Sequence, residues 1–199
     1  MYLFLLGLTL LDSSFWTMGA LLSEELRNDG FLGNFVIAAY ILPSVFMSLI
    51  ARQIAKPWGK KKTAFATALI GSLILILGGL IVSGSFFVLV ILAAAFFLSI
   101  SYPEMYAVFE DFVARMNHNG NDMVGLEGSA TSLGYIIGPV LAGFLSTYVG
   151  YQYTLVSFAI IFFATAIVAY IKVPPKVRLP QSELAQIDDQ ASPVTQSLS

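Results

Sequence analysis

No cysteine occurs anywhere in the 199 residues, which excludes a disulfide framework and thiolate chemistry. Histidine occurs once, at His118. One imidazole cannot build a histidine metal set, so neither a metal nor an organic cofactor is expected. Charge is scarce as well: 11% of residues are Asp, Glu, Lys or Arg, against about 25% in soluble domains. A phosphate-cradling glycine loop with lysine, an H-E-x-x-H helix and a G-x-S-x-G turn are all missing. Those absences speak against an ATP-driven pump, a zinc peptidase and a serine hydrolase, and the chain is expected not to be an enzyme. No strongly basic patch offers a nucleic-acid footprint.

What is present is apolar: hydrophobic residues make up 57% of the chain, and they lie in long runs. A hydrocarbon core of about 30 Å takes roughly 20 helical residues to cross. Six stretches reach that length, near residues 2–22, 33–55, 64–83, 86–107, 123–148 and 152–172. Period-two alternation is absent, so helices are the spanning structure that remains. The expected fold is an all-α integral membrane protein with six transmembrane helices over residues 1–172. The first run lacks a basic start and is too long for a signal peptide's apolar segment. Residues 173–199 are polar and proline-rich without apolar periodicity, the composition of a disordered tail.

Of the ten basic residues, every one except Arg27 falls on a single side if the chain crosses six times. The positive-inside rule then places both termini in the cytoplasm. The expected location is a plasma or bacterial inner membrane, with the lipid bilayer as a partner.

Within the fifth run, Ala130, Gly134, Gly138, Ala142 and Ser146 recur at intervals of four. On a helix that spacing draws a ridge with almost no side chain, suited to close backbone packing in lipid. Pro139 removes the donor that would reach the carbonyl of Tyr135, so a bend is expected there.

The order Gly125, eight residues, Gly134, three residues, Gly138-Pro139, two residues, Ala142 and Gly143 resembles the glycine-proline signature of major facilitator superfamily transporters. In that family it marks the fifth helix of twelve, often in exporters that exchange substrate for protons, and recurs more weakly on the eleventh. The order of elements here is similar to the second six-helix half. Arg52–Lys62 resembles the family's short cytoplasmic loop, with Gly59 followed by Lys60 and Lys61. The family usually has an aspartate three residues before that glycine, as a latch, whereas Lys56 stands here. Only Gly59, Lys60 and Lys61 carry over.

Asp12 is the first candidate for chemistry. It lies ten residues after Tyr2, about 15 Å into the bilayer. A carboxylate at such depth costs a few kcal/mol and usually faces a bundle interior or a transport path. It could bind a cation or a coupling proton, or be a protonated acid bonded to a neighbouring helix. Trp16 shares its face. Tyr102, Pro103 and Glu104 end the fourth run. A proline beside an acid is one way to break a helix and build a site at membrane depth, although Glu104 equally suits the headgroup interface. Asp111 and Arg115 are spaced as a helix-surface ion pair.

The resemblance implies a secondary transporter that moves a small organic solute by alternating access, and its exporter association points toward proton-coupled efflux. It covers one half only, so the chain is expected to be a fragment or to pair with a missing N-terminal half or a second six-helix subunit. A non-transporting six-helix subunit or assembly factor is the alternative.

Overall fold

The computed structural model describes residues 1–113 and 120–172, and the regular elements within them are all helical. They are α1 (Tyr2–Asp29), α2 (Val36–Trp58), α3 (Lys60–Ile81), α4 (Phe87–Val113) and α5 (Gly120–Lys172), with short 3-10 turns at Phe31–Phe35 and Gly84–Phe86. A helix satisfies its own backbone polar groups, which is what a solvent without water demands. Among the described residues, four helices are long and apolar enough to cross a membrane. The pair Phe31–Met47 and Leu49–Trp58, bent by 42°, would make a fifth. At 53 residues α5 would be about 80 Å long if straight, far more than one crossing needs. It is broken at Gly150, whose φ of 80° and ψ of 169° are not helical. That break falls between the fifth and sixth predicted runs.

Several predicted boundaries shift. The first run was expected to end at residue 22, but α1 continues to Asp29 through Ser23, Glu24 and Glu25. The fourth was expected to end at 107, but α4 continues to Val113 and passes through Pro103 without breaking. Hydropathy marks where lipid ends; the hydrogen-bond ladder does not need apolar side chains and runs on. Pro139 likewise sits inside a helical stretch of α5, whose backbone leaves helical geometry at Gly150 instead. Arg115, His118 and the 173–199 tail lie outside the described residues.

The expected loop at Arg52–Lys62 is reduced to one residue. α2 ends at Trp58, α3 begins at Lys60, and Gly59 turns the chain between them with φ 85° and ψ 141°. Its N–H bonds to the Ala55 carbonyl at 2.7 Å, and its own carbonyl accepts from Thr63 N–H at 3.0 Å. Side chains rarely adopt that positive φ, so a glycine is what this junction accommodates. Lys60 reaches across to Asp111 at the far end of α4, with Nζ 2.8 Å from Oδ2. Asp111 is therefore engaged with another helix, while Arg115, its expected local partner, lies outside the described residues. Lys61 Nζ stands 6.0 Å from the Phe65 ring centre and 5.7 Å from that of Tyr170, within cation–π range.

The core is centred on α1, which packs most extensively against α5. Phe4 lies edge-on to Phe65 of α3 at 5.1 Å and to Phe162 of α5 at 5.2 Å, and all three rings are buried. A Cβ on Gly7 would come within 2.1 Å of Thr165 Oγ1, so the second part of α5 lies directly on α1. The first part does the same. Gly134 and Gly138 would place a Cβ 2.0 Å from Thr9 Oγ1 and 1.9 Å from Ser13 Oγ. Ser13 Oγ donates to the Gly134 carbonyl at 3.1 Å, and Ala142 is wholly buried. The small-residue ridge thus packs within this chain, on α1.

Gly125 and Gly143, grouped with Gly134 and Gly138 in the sequence reading, do not share that seam. A Cβ on either would meet nothing within 4 Å. The cause is register: each lies nine residues from Gly134, about 180° around the helix at 100° per residue. Two expectations follow. Gly134→Ala forces side chains or backbone apart and destabilises the chain by about 1–3 kcal/mol, whereas Gly143→Ala leaves it unchanged or firmer; unfolding midpoints in detergent micelles check the contrast. Lys60 and Asp111 are 43% and 48% exposed, so a double-mutant cycle to alanine should return a coupling below about 1 kcal/mol.

Candidate functional site

The contact between α1 and α5 also places the one acidic group on the cavity wall. α1 is 28 residues long, and Asp12 lies about 5 Å from its middle at 1.5 Å per residue. Asp12 neighbours Ser13, and Tyr135 neighbours Gly134. Where the two backbones meet, the side chains beside the seam are brought together. Tyr135 Oη donates to Asp12 Oδ2. From the opposite side, Tyr40 Oη of α2 donates to Oδ1 at 2.5 Å. Both carboxyl oxygens are therefore engaged, each by a phenol from a different helix. A phenol suits this depth because its ring is apolar and its hydroxyl needs a partner once removed from water.

Aromatic packing holds Tyr40 in place. Its ring stacks on Phe15 with centres 3.8 Å apart and planes 16° apart, and Trp16 stands edge-on to it at 6.4 Å. Beside this cluster is a cavity of about 230 Å³. α1 contributes Asp12 and Trp16 to its wall, α2 contributes Tyr40 and Ser44, and α4 contributes Ser99 and Tyr102, with aliphatic side chains between them. Among the described residues, neither lysine, arginine nor histidine lines it. Tyr102 Oη lies 3.4 Å from Tyr106 Oη, one helical turn on.

Of the four residues expected on a solute or proton path, Asp12, Trp16 and Tyr102 meet at this cavity. Glu104 does not. Two residues along a helix are about 200° apart, so Tyr102 and Glu104 cannot face the same space. Glu104 shares its side of α4 with Ser101, Met105 and Val108, which are buried. Ser101 Oγ donates to the Ala64 carbonyl of α3 at 2.8 Å, which shows what that side packs on. With 4% of its surface exposed, Glu104 is inside the bundle and not in headgroup water. Gly59, Lys60 and Lys61 stand apart from the cavity wall, at the α2–α3 junction.

Sequence reasoning missed Tyr40, Tyr135, Ser44 and Ser99. One signal was available: Tyr135 sits between the two glycines of the seam, which brings its helix against α1 beside Asp12. Tyr40, 28 positions from Asp12 on another helix, carried no comparable mark.

The arrangement presents a carboxyl group, held by two phenols, at the wall of a small, mostly apolar chamber. No curated protein and no solved structure matches this chain. The family model of the Major Facilitator Superfamily matches residues 1–198, and with nearly the whole length covered the chain belongs to that superfamily, whose members are membrane transporters.

Proposed function

We propose that this chain is the C-terminal six-helix half of a secondary transporter that moves a small organic solute by alternating access, with proton exchange at Asp12. The six crossings are α1 to α4 and the two parts of α5 on either side of Gly150. Residues 1–172 then form the membrane domain, residues 173–199 a cytoplasmic tail, and both termini face the cytoplasm. The observation that carries the reading is the Asp12 cluster: a carboxyl near the middle of a membrane helix, bonded by tyrosines from two other helices at the edge of a cavity. An acid at that depth is a functional site by default, and parallel halves with a midplane site are the family's architecture.

The other half would cover the side on which Tyr135 is 43% exposed. Ile136, Val140 and Phe144 on α5 and Val45, Phe46 and Leu49 on α2 form broad apolar surfaces, suited to lipid or to a second bundle. Rocking between halves would open the chamber to each side in turn. Proton uptake by Asp12 would loosen its bonds to Tyr40 and Tyr135, which couples the charge state to the α1–α2 and α1–α5 contacts.

The test is flux in proteoliposomes holding this chain with a six-helix N-terminal half, using a luminal pH dye and a panel of cationic, neutral and anionic small solutes. At least one solute should move, with protons moving the other way, and Asp12→Asn should lower the proton-linked rate by tenfold or more. Absence of flux for the whole panel would instead favour a non-transporting subunit. Flux whose pH dependence survives Asp12→Asn would remove Asp12 from the mechanism.

A further inference from the structure

The geometry points to a small organic cation, a quaternary or tertiary ammonium with an apolar substituent, as the ligand of the Asp12 cavity. The inference rests on the transport reading above and adds the charge class of what is carried. Three features of the chamber agree on it. The first is its charge: among the described residues, the wall carries Asp12 and neither lysine, arginine nor histidine. An anion entering a low-dielectric chamber would meet a carboxylate with no opposing charge. A neutral solute would leave the acid's insertion cost without return.

The second feature is the spare capacity of the acid. Each oxygen accepts one phenol hydrogen bond, yet an ionised carboxylate has about four acceptor positions, so attraction to a cation remains. The tyrosines hold the carboxyl rigid without cancelling its charge. The third is the aromatic wall. Trp16, Tyr40 and Tyr102 come from three different helices and line the same space as the acid. Ring faces attract cations, most strongly for tryptophan, and a cage of rings is the common way to recognise an ammonium that has no N–H to donate. Leu11, Ala95 and Leu98 supply apolar surface for the substituent. The volume of about 230 Å³ is below the range of drug-sized pockets and limits the guest to a small molecule.

The test uses binding, so that it is separable from flux. The chain has two tryptophans, and Trp58 lies at the end of α2, away from the cavity wall. Trp58→Phe therefore leaves Trp16 as the reporter. In nanodiscs of zwitterionic lipid, the protein is titrated with phenyltrimethylammonium, with the neutral 2-phenyl-2-propanol and with benzenesulfonate, which have similar size and opposed charge.

The ammonium should change Trp16 fluorescence saturably, with a midpoint at least tenfold lower than the alcohol, and the sulfonate should give no saturation. Asp12→Asn should weaken the ammonium tenfold or more and leave the alcohol where it was. Tyr102→Leu, which removes a ring and keeps the acid, should weaken the ammonium about fivefold and serves if the Asp12 variant does not fold. Equal midpoints for the three probes, saturation by none of them, or ammonium binding unchanged in both variants would overturn the proposal. Flux of the alcohol or the sulfonate without ammonium binding would overturn this substrate class and leave transport standing. Ammonium binding without any flux would do the reverse.

Discussion

The contact on which the rest depends is the close approach of α5 to α1 at Gly134 and Gly138. α5 puts no side chain into the gap there, so the short Thr9 and Ser13 side chains of α1 fill it, and Ser13 Oγ bonds to the Gly134 carbonyl. In lipid, association of helices gains little from burying apolar surface, so tight backbone contact and buried hydrogen bonds take over that role. The approach also sets the site. Asp12 and Tyr135 are the sequence neighbours of Ser13 and Gly134, and their bond follows from the seam beside them. Packing and chemistry here share one constraint.

Around that seam the other helices act as supports. Phe4, Phe65 and Phe162 tie α1 to α3 and to the second part of α5. Gln152 Nε2 donates to the carbonyls of Gly79 and Val82, 2.8 Å in each case, and so satisfies the open C-terminal end of α3 just after the Gly150 break. At the other end of α3, Gly59 and the Lys60 to Asp111 pair join α2, α3 and α4. The family resemblance expected a latch at that junction built on an aspartate, where this chain has Lys56. The cation of the pair is instead Lys60, and its acid comes from α4. With both partners nearly half exposed, the pair is a weak tie, the kind of contact a moving element can break and remake.

Much of the fold was legible because the relevant signals are one-dimensional. Apolar length gave away the membrane helices, and a spacing of four gave away the bare ridge of α5. The split between the last two helices was visible in the short gap at residues 149–151, where Gly150 turns the chain. Helix ends were less legible, as at Asp29 and Val113, because the backbone ladder continues beyond the apolar stretch that hydropathy detects. Pro103, whose place beside an acid suggested a broken helix, sits within a continuous helical stretch, and Pro139 also lies inside one.

By itself the sequence determined the membrane character, the helical class and the presence of an acid near the middle of a long apolar helix, since composition and the 1.5 Å rise per residue decide those without knowing any neighbour. Only the tertiary structure decided what that acid touches. Tyr40 and Tyr135 lie 28 and 123 positions from Asp12 in the chain, and which of the tyrosines would meet it depends on helix rotation and pairing. The same holds for Glu104, whose nearness to Tyr102 in sequence puts it on the opposite side of α4 in space. A helix turns 100° with each residue, so neighbours in sequence part company across its axis while distant residues converge.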